Sequence, residues 1–452
     1  MSKKISSDEV KVPDTLVTKI SWVVFGFSNL MHKQFIKGLA FLAVEVAYIA
    51  FMVSQGFQNL INMVTLGTVE TAWVEVPGKL MPEFRLGDNS MLFLLFGVLT
   101  CMITAGFFWA SYCSHKSAKQ LELLDAAGKP APSFVDDVKL LLDERFHITL
   151  LFLPISGILI FSVLPLIYMI CIAFTNYDRD HQVPGNLFHW VGLSNFGNML
   201  GGDPRMSHTF IHVLIWTLIW AFFATFLNYF LGIIVALVIN QKEVKFKKLW
   251  RSILVLTIAM PQFISLLVMR SFFSSYGVIN RTLISMGVLP SIQDALPFFT
   301  DPTWARVVII VVNMWIGIPY TMLMSSGILM NIPQDLYEAA TVDGANKIQM
   351  FFKITLPQII FTTTPYLITS FIGNINNFNI IYLMTAGGPS DSSYYEAGKT
   401  DLLVTWLYKL TKDKFDYNLA STIGILIFII SATFSLLTYM NTKSYKEEDA
   451  FQ

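Results

Sequence analysis

The chain has 452 residues, 54% of them hydrophobic and only 14% charged, where a soluble domain carries about 25% charged residues. A deficit of that size over that length excludes an ordinary soluble protein and implies one that crosses a membrane many times. Lys+Arg and Asp+Glu number 31 each, so net charge indicates neither a nucleic-acid nor an acidic partner.

The opening residues MSKKISSDEVKVPD lead into no signal-peptide core or cleavage site, and the first apolar run is expected to be a retained span. Residues 15–31 carry a weak amphipathic pattern. Eight runs are long enough to cross a hydrocarbon core about 30 Å thick, which takes about 20 residues of helix. They lie at roughly 35–53, 91–113, 149–173, 210–239, 251–273, 304–329, 358–385 and 420–440. Their length predicts helices, since a barrel strand needs only about 10 alternating residues. The fold class is therefore all-α: a polytopic bundle of eight transmembrane helices. The organisation expected is an N-terminal region 1–148 with two accessory spans, a six-span core 149–440 and a tail 441–452.

Glu45 falls midway through the first span, where an unpaired carboxylate costs several kcal/mol. A hydrogen bond within the bundle or to a partner subunit meets that cost; a proton path is the other reading. Cys101, Cys113 and Cys171 have the spacing of neither a disulfide framework nor a metal site and read as small apolar residues. No metal or cofactor is expected. In SFVDDVKLLLDERF, ahead of the third span, Ser133 is placed to cap a helix. Val135, Val138, Leu141, Leu142 and Phe146 give that helix one apolar face along the membrane surface.

The sixth span places Asn313, Ile316, Gly317 and Tyr320 at i, i+3, i+4 and i+7. Pro319 is expected to kink that helix. In the seventh, Ser370, Asn374 and Asn377 are predicted to share one face. Amides inside hydrocarbon need partners, and they can serve a polyhydroxylated ligand in an aqueous cavity as well as they can tie neighbouring helices together. Asn376 and Asn379 face elsewhere and read as helix-to-helix bonds.

Basic residues collect on cytoplasmic loops. With the N-terminus inside, the inner segments hold 19 and the outer loops 9. Lys37, Arg270 and Arg306 lie near span ends and can snorkel. Both termini are thus expected in the cytoplasm of a multi-pass membrane protein, together with the loop 330–357.

That loop, with its flanks, reads NIPQDLYEAATVDGANKIQMFFKITLPQI. Pro333 suits a first helical turn, with Asn331 as cap. Asp335 and Glu338 sit toward the positive end of the helix dipole. Leu336, Ala339, Ala340 and Asp343 extend over about three turns, Gly344 ends them, and a second helix over 345–355 carries Ile348, Phe351, Phe352 and Ile354. The product is a thin two-helix knob, suited to a soluble partner's cleft or else an ordinary amphipathic re-entry helix. The chain contains no GxxxxGK[ST] phosphate loop, so ATP chemistry would have to come from separate subunits.

Glu338-Ala339-Ala340, Asp343-Gly344-Ala345, Phe351-Phe352 and Ile354 with Leu356-Pro357 resemble the EAA loop of bacterial ABC importer permeases, about nine positions over twenty residues. The stretches VVNMWIGIPYTM, SFIGNINNFNIIYLMTAGGP and TDLLVTWLYKL, with the span count, are similar to the MalF-type permeases of maltose/maltodextrin importers, within the binding-protein-dependent transport inner-membrane component family. The resemblance runs from the third span to the end and is weaker over residues 1–148. It implies a type I importer permease fold and a transporter subunit rather than an enzyme. It implies coupling residues at Glu338, Ala339, Ala340, Asp343, Gly344, Phe351 and Phe352, and sugar-binding residues at Asn313, Ile316, Gly317, Tyr320, Ser370, Asn374 and Asn377. The implied partners are a second, MalG-like permease, a dimer of ATP-binding subunits, an extracellular sugar-binding protein, an oligosaccharide and membrane lipid. Gly373 departs from the family pattern, which has an aromatic there. So does the loop of about 36 residues between the third and fourth spans, where the enterobacterial member has a large insertion; its shortness implies a simpler extracellular contact with a lipid-anchored binding protein. Alternatives within the class are permeases for galacto-oligosaccharide, for several sugars, or for glycerol phosphate, which would want Arg or Lys at midplane. An ion-driven transporter would need buried ionisable pairs and inverted repeats. An intramembrane enzyme would need an HExxH or GxSxG constellation, which the spans do not contain.

Overall fold

The computed structural model describes residues 15–75, 81–183, 185–241 and 243–440. The segment 1–14 and the tail 441–452, both assigned above to the cytoplasm, lie outside them. The chain forms two compact units, Met1–Trp190 and Val191–Gln452.

In the first unit, the stretch 15–31 is two short helices, α1 (Leu16–Ile20) and α2 (Phe27–Met31). The first span comprises α3 (Phe35–Phe51) and α4 (Phe57–Thr65), joined through a wider π-type turn. It therefore runs to Thr65, twelve residues beyond the end of its apolar run. A two-stranded antiparallel hairpin, β1 (Ala72–Val74) with β2 (Glu83–Arg85), follows. The second span, α5 (Ser90–Ala126), starts where the Asn89 side chain accepts from Leu92 N–H at 3.1 Å. Then come α6 (Phe134–Leu142), and α7 (Phe146–Ile158) with α8 (Leu164–Ile172), which make up the third span. Ser133 caps α6 as expected: its hydroxyl accepts from Asp136 N–H while Asp136 accepts from Ser133 N–H, a reciprocal box. The third span keeps its apolar side chains on the outside, with Phe161 81% exposed, the surface that lipid covers.

Glu45 is part-buried, and its Oε2 accepts the Phe25 backbone N–H at 2.7 Å. A hydrogen bond inside the bundle thus satisfies the carboxylate. Glu45→Gln keeps an acceptor oxygen at this place, and the solute uptake that the resemblance implies is expected to match wild type from pH 6 to 8 in the variant. A pH-dependent loss of uptake would restore the proton path.

The second unit begins with α9 (Ser194–Gly197) and α10 (Pro204–Asn240). α11 (Lys247–Ala259) and α12 (Gln262–Phe272) meet at 93°, so the fifth apolar run is not one straight helix. Pro261 explains the corner. Its ring drives Met260 out of helical geometry, to φ −80 and ψ 137, and Pro261 itself is extended. After α13 (Val278–Ser285) comes α14 (Pro302–Asn331), which runs unbroken through Pro319. The expected kink there does not interrupt the helix. α10 and α14 share one device at their starts: Asp203 and Asp301 each accept from the second and third backbone N–H of the helix, at 2.8–2.9 Å. In each case a proline follows at the first helical position.

The loop helices α15 (Gln334–Val342) and α16 (Lys347–Met350) lead into α17 (Leu356–Ile375) and α18 (Phe378–Thr385). The seventh run is thus also divided, at Asn376–Asn377. α19 (Leu403–Lys409) and α20 (Tyr417–Met440) complete the unit. Among the described residues six helices are long and apolar enough to cross a membrane, or seven if the bent pair counts as one span. Buried clusters hold the unit together, two of them the largest among the described residues. Trp406, Leu403 and Ile423 pack with Phe210, Val213 and Ile375. Trp216 and Trp220 pack with Leu266, Val312 and Ile381.

Candidate functional site

α10 and α14 approach at near backbone distance. A Cβ at Gly317 would sit 2.1 Å from the Asn228 Nδ2, and one at Gly232 would sit 2.6 Å from the Thr321 Cβ. Two glycines therefore set the spacing of this pair. Asn228 is nearly buried, and its Nδ2 donates to the Ala224 carbonyl at 2.7 Å. Asn313, on the facing helix, donates to the same carbonyl at 3.4 Å.

α17 packs against α10 through Asn374. Its Nδ2 donates to Thr225 Oγ1 at 3.0 Å, and its backbone carbonyl accepts the Trp220 indole N–H at 3.1 Å. These bonds fix the level of Asn374 relative to Asn313. Four elements then border an open cavity of about 540 Å³. Asn313, Ile316, Gly317 and Tyr320 come from α14, Ser370, Asn374 and Tyr366 from α17, Asn228 from α10, and the last wall is the α11–α12 corner around Pro261. Its volume suits a small ligand. Among the described residues none of the lining side chains is charged.

Six of the seven residues singled out from the two spans therefore meet in one cavity. Asn377 does not. The helix ends at Ile375, so Asn377 cannot continue the face of Ser370 and Asn374; it caps α18, its side chain accepting from Ile380 N–H at 3.3 Å. Asn376 bonds back to the Ile372 carbonyl of its own helix rather than to a neighbour. Asn228, Tyr366 and the Pro261 corner were not foreseen. Asn228 stands alone in an apolar run, the same signal that marked Asn313. A mid-run proline at 261 marked the corner.

The loop 330–357 is built otherwise than its caps suggested. Asn331 closes α14, and Pro333 is the residue that opens α15. α15 ends in a double bond: Gly344 N–H donates to the Thr341 carbonyl at 3.1 Å and Ala345 N–H to Ala340 at 2.9 Å, the closure that a left-handed residue permits. Gly344 supplies it with φ +78. Asn346 and Gln349 cap each other at the start of α16. Tyr337 OH bonds Thr355 Oγ1 at 2.9 Å, fastening α15 to the base of α17. Glu338, Ala339, Asp343, Gly344 and Phe352 are exposed, whereas Ala340 and Phe351 are half-buried.

Residues 228–443 match the family described as "Binding-protein-dependent transport system inner membrane component". The chain is 36% identical to the galactooligosaccharides transport system permease protein GanP of Bacillus subtilis (strain 168), over 94% of this chain and 97% of that one. It is 34% identical to the maltodextrin transport system permease protein MalC of Streptococcus pneumoniae serotype 4, over 94% and 96%. Among solved structures, a chain of a bacterial alginate ABC transporter, in complex with an alginate pentasaccharide-bound periplasmic protein, is 25% identical. That match has a TM-score of 0.54 and covers 67% of this chain and 96% of that one.

Proposed function

This chain belongs to the binding-protein-dependent transport system inner membrane component family, and we propose that it is a permease subunit of an ATP-driven importer of neutral oligosaccharides, of the maltodextrin or galacto-oligosaccharide class. It is a transporter subunit and not an enzyme. The observation that carries the substrate class is the uncharged cavity in which six amide, hydroxyl, aromatic, aliphatic and small residues converge. Amides and hydroxyls match sugar hydroxyls, and tyrosine rings match the apolar faces of sugars. A phosphate-bearing substrate would call for Arg or Lys.

The partners in this reading are a second permease subunit, two ATP-binding subunits and an extracellular binding protein. ATP closes the ATP-binding dimer. The two-helix knob α15–α16, on the side that the charge bias assigns to the cytoplasm, carries that movement to α14 and α17, the helices on either side of it. Sugar then meets a cavity open alternately to each side. Its affinity there is modest, because equal tight binding to both states would shift nothing and slow release.

The test is uptake by the complex reconstituted in vesicles with its ATP-binding subunits and binding protein. ATP-dependent accumulation of maltotriose or a galacto-oligosaccharide is expected, falling about tenfold in Asn374→Ala. Uptake of glycerol phosphate alone, or uptake with no ATP-binding subunit present, would overturn the proposal.

A further inference from the structure

The cavity is not uniform along its length. α14 and α17 run antiparallel past it, so positions pair by level. Asn313 and Asn374 stand at one end, both tied to α10, by Asn313 to the Ala224 carbonyl and by Asn374 to the Thr225 hydroxyl. Seven residues along α14 and eight back along α17 lie Tyr320 and Tyr366. Their ring centroids are 5.7 Å apart and their planes 30° from parallel. At about 1.5 Å of rise per residue the two ends are separated by about 10 Å.

Both rings border the cavity, and Tyr320 is 52% exposed. Tyr366 shares its helix face with Ser370 and Asn374, at i, i+4 and i+8. A ligand held by its hydroxyls at the amide end must therefore extend one further ring to reach the tyrosines. There the match is aromatic face to apolar face rather than hydrogen bond to hydroxyl.

We propose that Tyr366, with Tyr320, is a length-selecting subsite: it binds a sugar ring beyond the one held at Asn313 and Asn374, so that the permease favours oligosaccharides over a single sugar. This rests on the neutral-oligosaccharide reading and adds to it a residue and a chain-length preference. The selectivity lies in the permease itself, separate from any preference of the binding protein.

The experiment is uptake of a glucose, maltose, maltotriose and maltotetraose series by the reconstituted complex. The same binding protein is present in every arm, so a length-dependent change belongs to the permease. Tyr366→Ala is expected to lower trisaccharide and tetrasaccharide uptake about fivefold relative to the shortest sugar carried, and Tyr366→Phe to stay within about twofold of wild type. Tyr366 also packs beside the buried cluster of Tyr229, Ile233 and Ile359. Tyr366→Leu, which keeps apolar bulk but lacks the ring, guards against simple loss of packing and is expected to behave as Ala. Equal loss at every length, or unchanged length preference in both Ala and Leu variants, would overturn the subsite while leaving the sugar reading intact. A wild-type complex that moves no neutral oligosaccharide would overturn both.

Discussion

Valine at position 344 is expected to reduce sugar uptake by at least about tenfold while the chain still reaches the membrane in normal amount. The argument is conformational. A Cβ on Gly344 would meet nothing within 4 Å, so no clash is involved. The residue stands at φ +78, where an L side chain costs about 1–2 kcal/mol and a β-branched one more. That geometry lets Gly344 N–H and Ala345 N–H reach the Thr341 and Ala340 carbonyls. Relaxing the residue to negative φ breaks both bonds and reorients α16 relative to α15. A knob with the wrong angle between its helices would still be present but would no longer fit its partner. ATP hydrolysis by the assembled complex should therefore continue without stimulation by loaded binding protein. Gly344→Asn separates strain from mere substitution, since asparagine tolerates the left-handed region; it should retain most of the uptake. Full transport by the valine variant would show that this turn does not couple anything.

The second large effect is expected at Asp401, in the loop between α18 and α19. The side chain is fully buried and accepts from Gly398 N–H at 2.7 Å, Thr405 Oγ1 at 2.8 Å and Lys409 Nζ at 2.5 Å. Burial pushes its carboxyl above the usual range, and the Lys409 ammonium opposes that. The chain folds tightly around it: a Cβ on Gly387 would lie 2.0 Å from the carboxylate oxygen. Removing one member of a buried pair costs about 3–5 kcal/mol, because the other charge and its donors are left unmatched. Asp401→Ala is thus expected to lower the thermal midpoint of the purified protein by about 5 °C. Asp401→Asn, which keeps an acceptor for Gly398, should fall between the two. A midpoint unchanged in the alanine variant would mean that the cluster contributes nothing to holding the loop.

The parts legible in the sequence were those set by local chemistry. Run length marked six of the eight expected spans, because hydrocarbon thickness dictates helix length, whereas the fifth and seventh runs are each divided. Ser133 announced the start of α6, and Gly344 its turn, because each depends on a residue type that few others can replace. Helical spacing brought Asn313, Ile316, Gly317, Tyr320, Ser370 and Asn374 to one cavity. The same spacing failed at Asn377, where it assumed a helix that stops two residues earlier. The breaks at Pro261 and at Asn376–Asn377 have local causes, yet their angles depend on packing against other helices. Tyr366 and Asn228 could be seen as polar groups in apolar runs, but their shared destination is a matter of how three helices cross.

Gly232 and Gly317 let α10 and α14 pack closely, with the Thr321 and Asn228 side chains seated directly on the two glycines. Such a joint cannot slide or open by degrees, since any shift means leaving one close fit for another. On the other side of the same chamber, the right-angled elbow at Pro261 has no helical ladder to break. Compliance is thus unevenly shared: a stiff double rib forms one wall and a jointed one the other, so any change in the chamber's shape is expected chiefly on the jointed side.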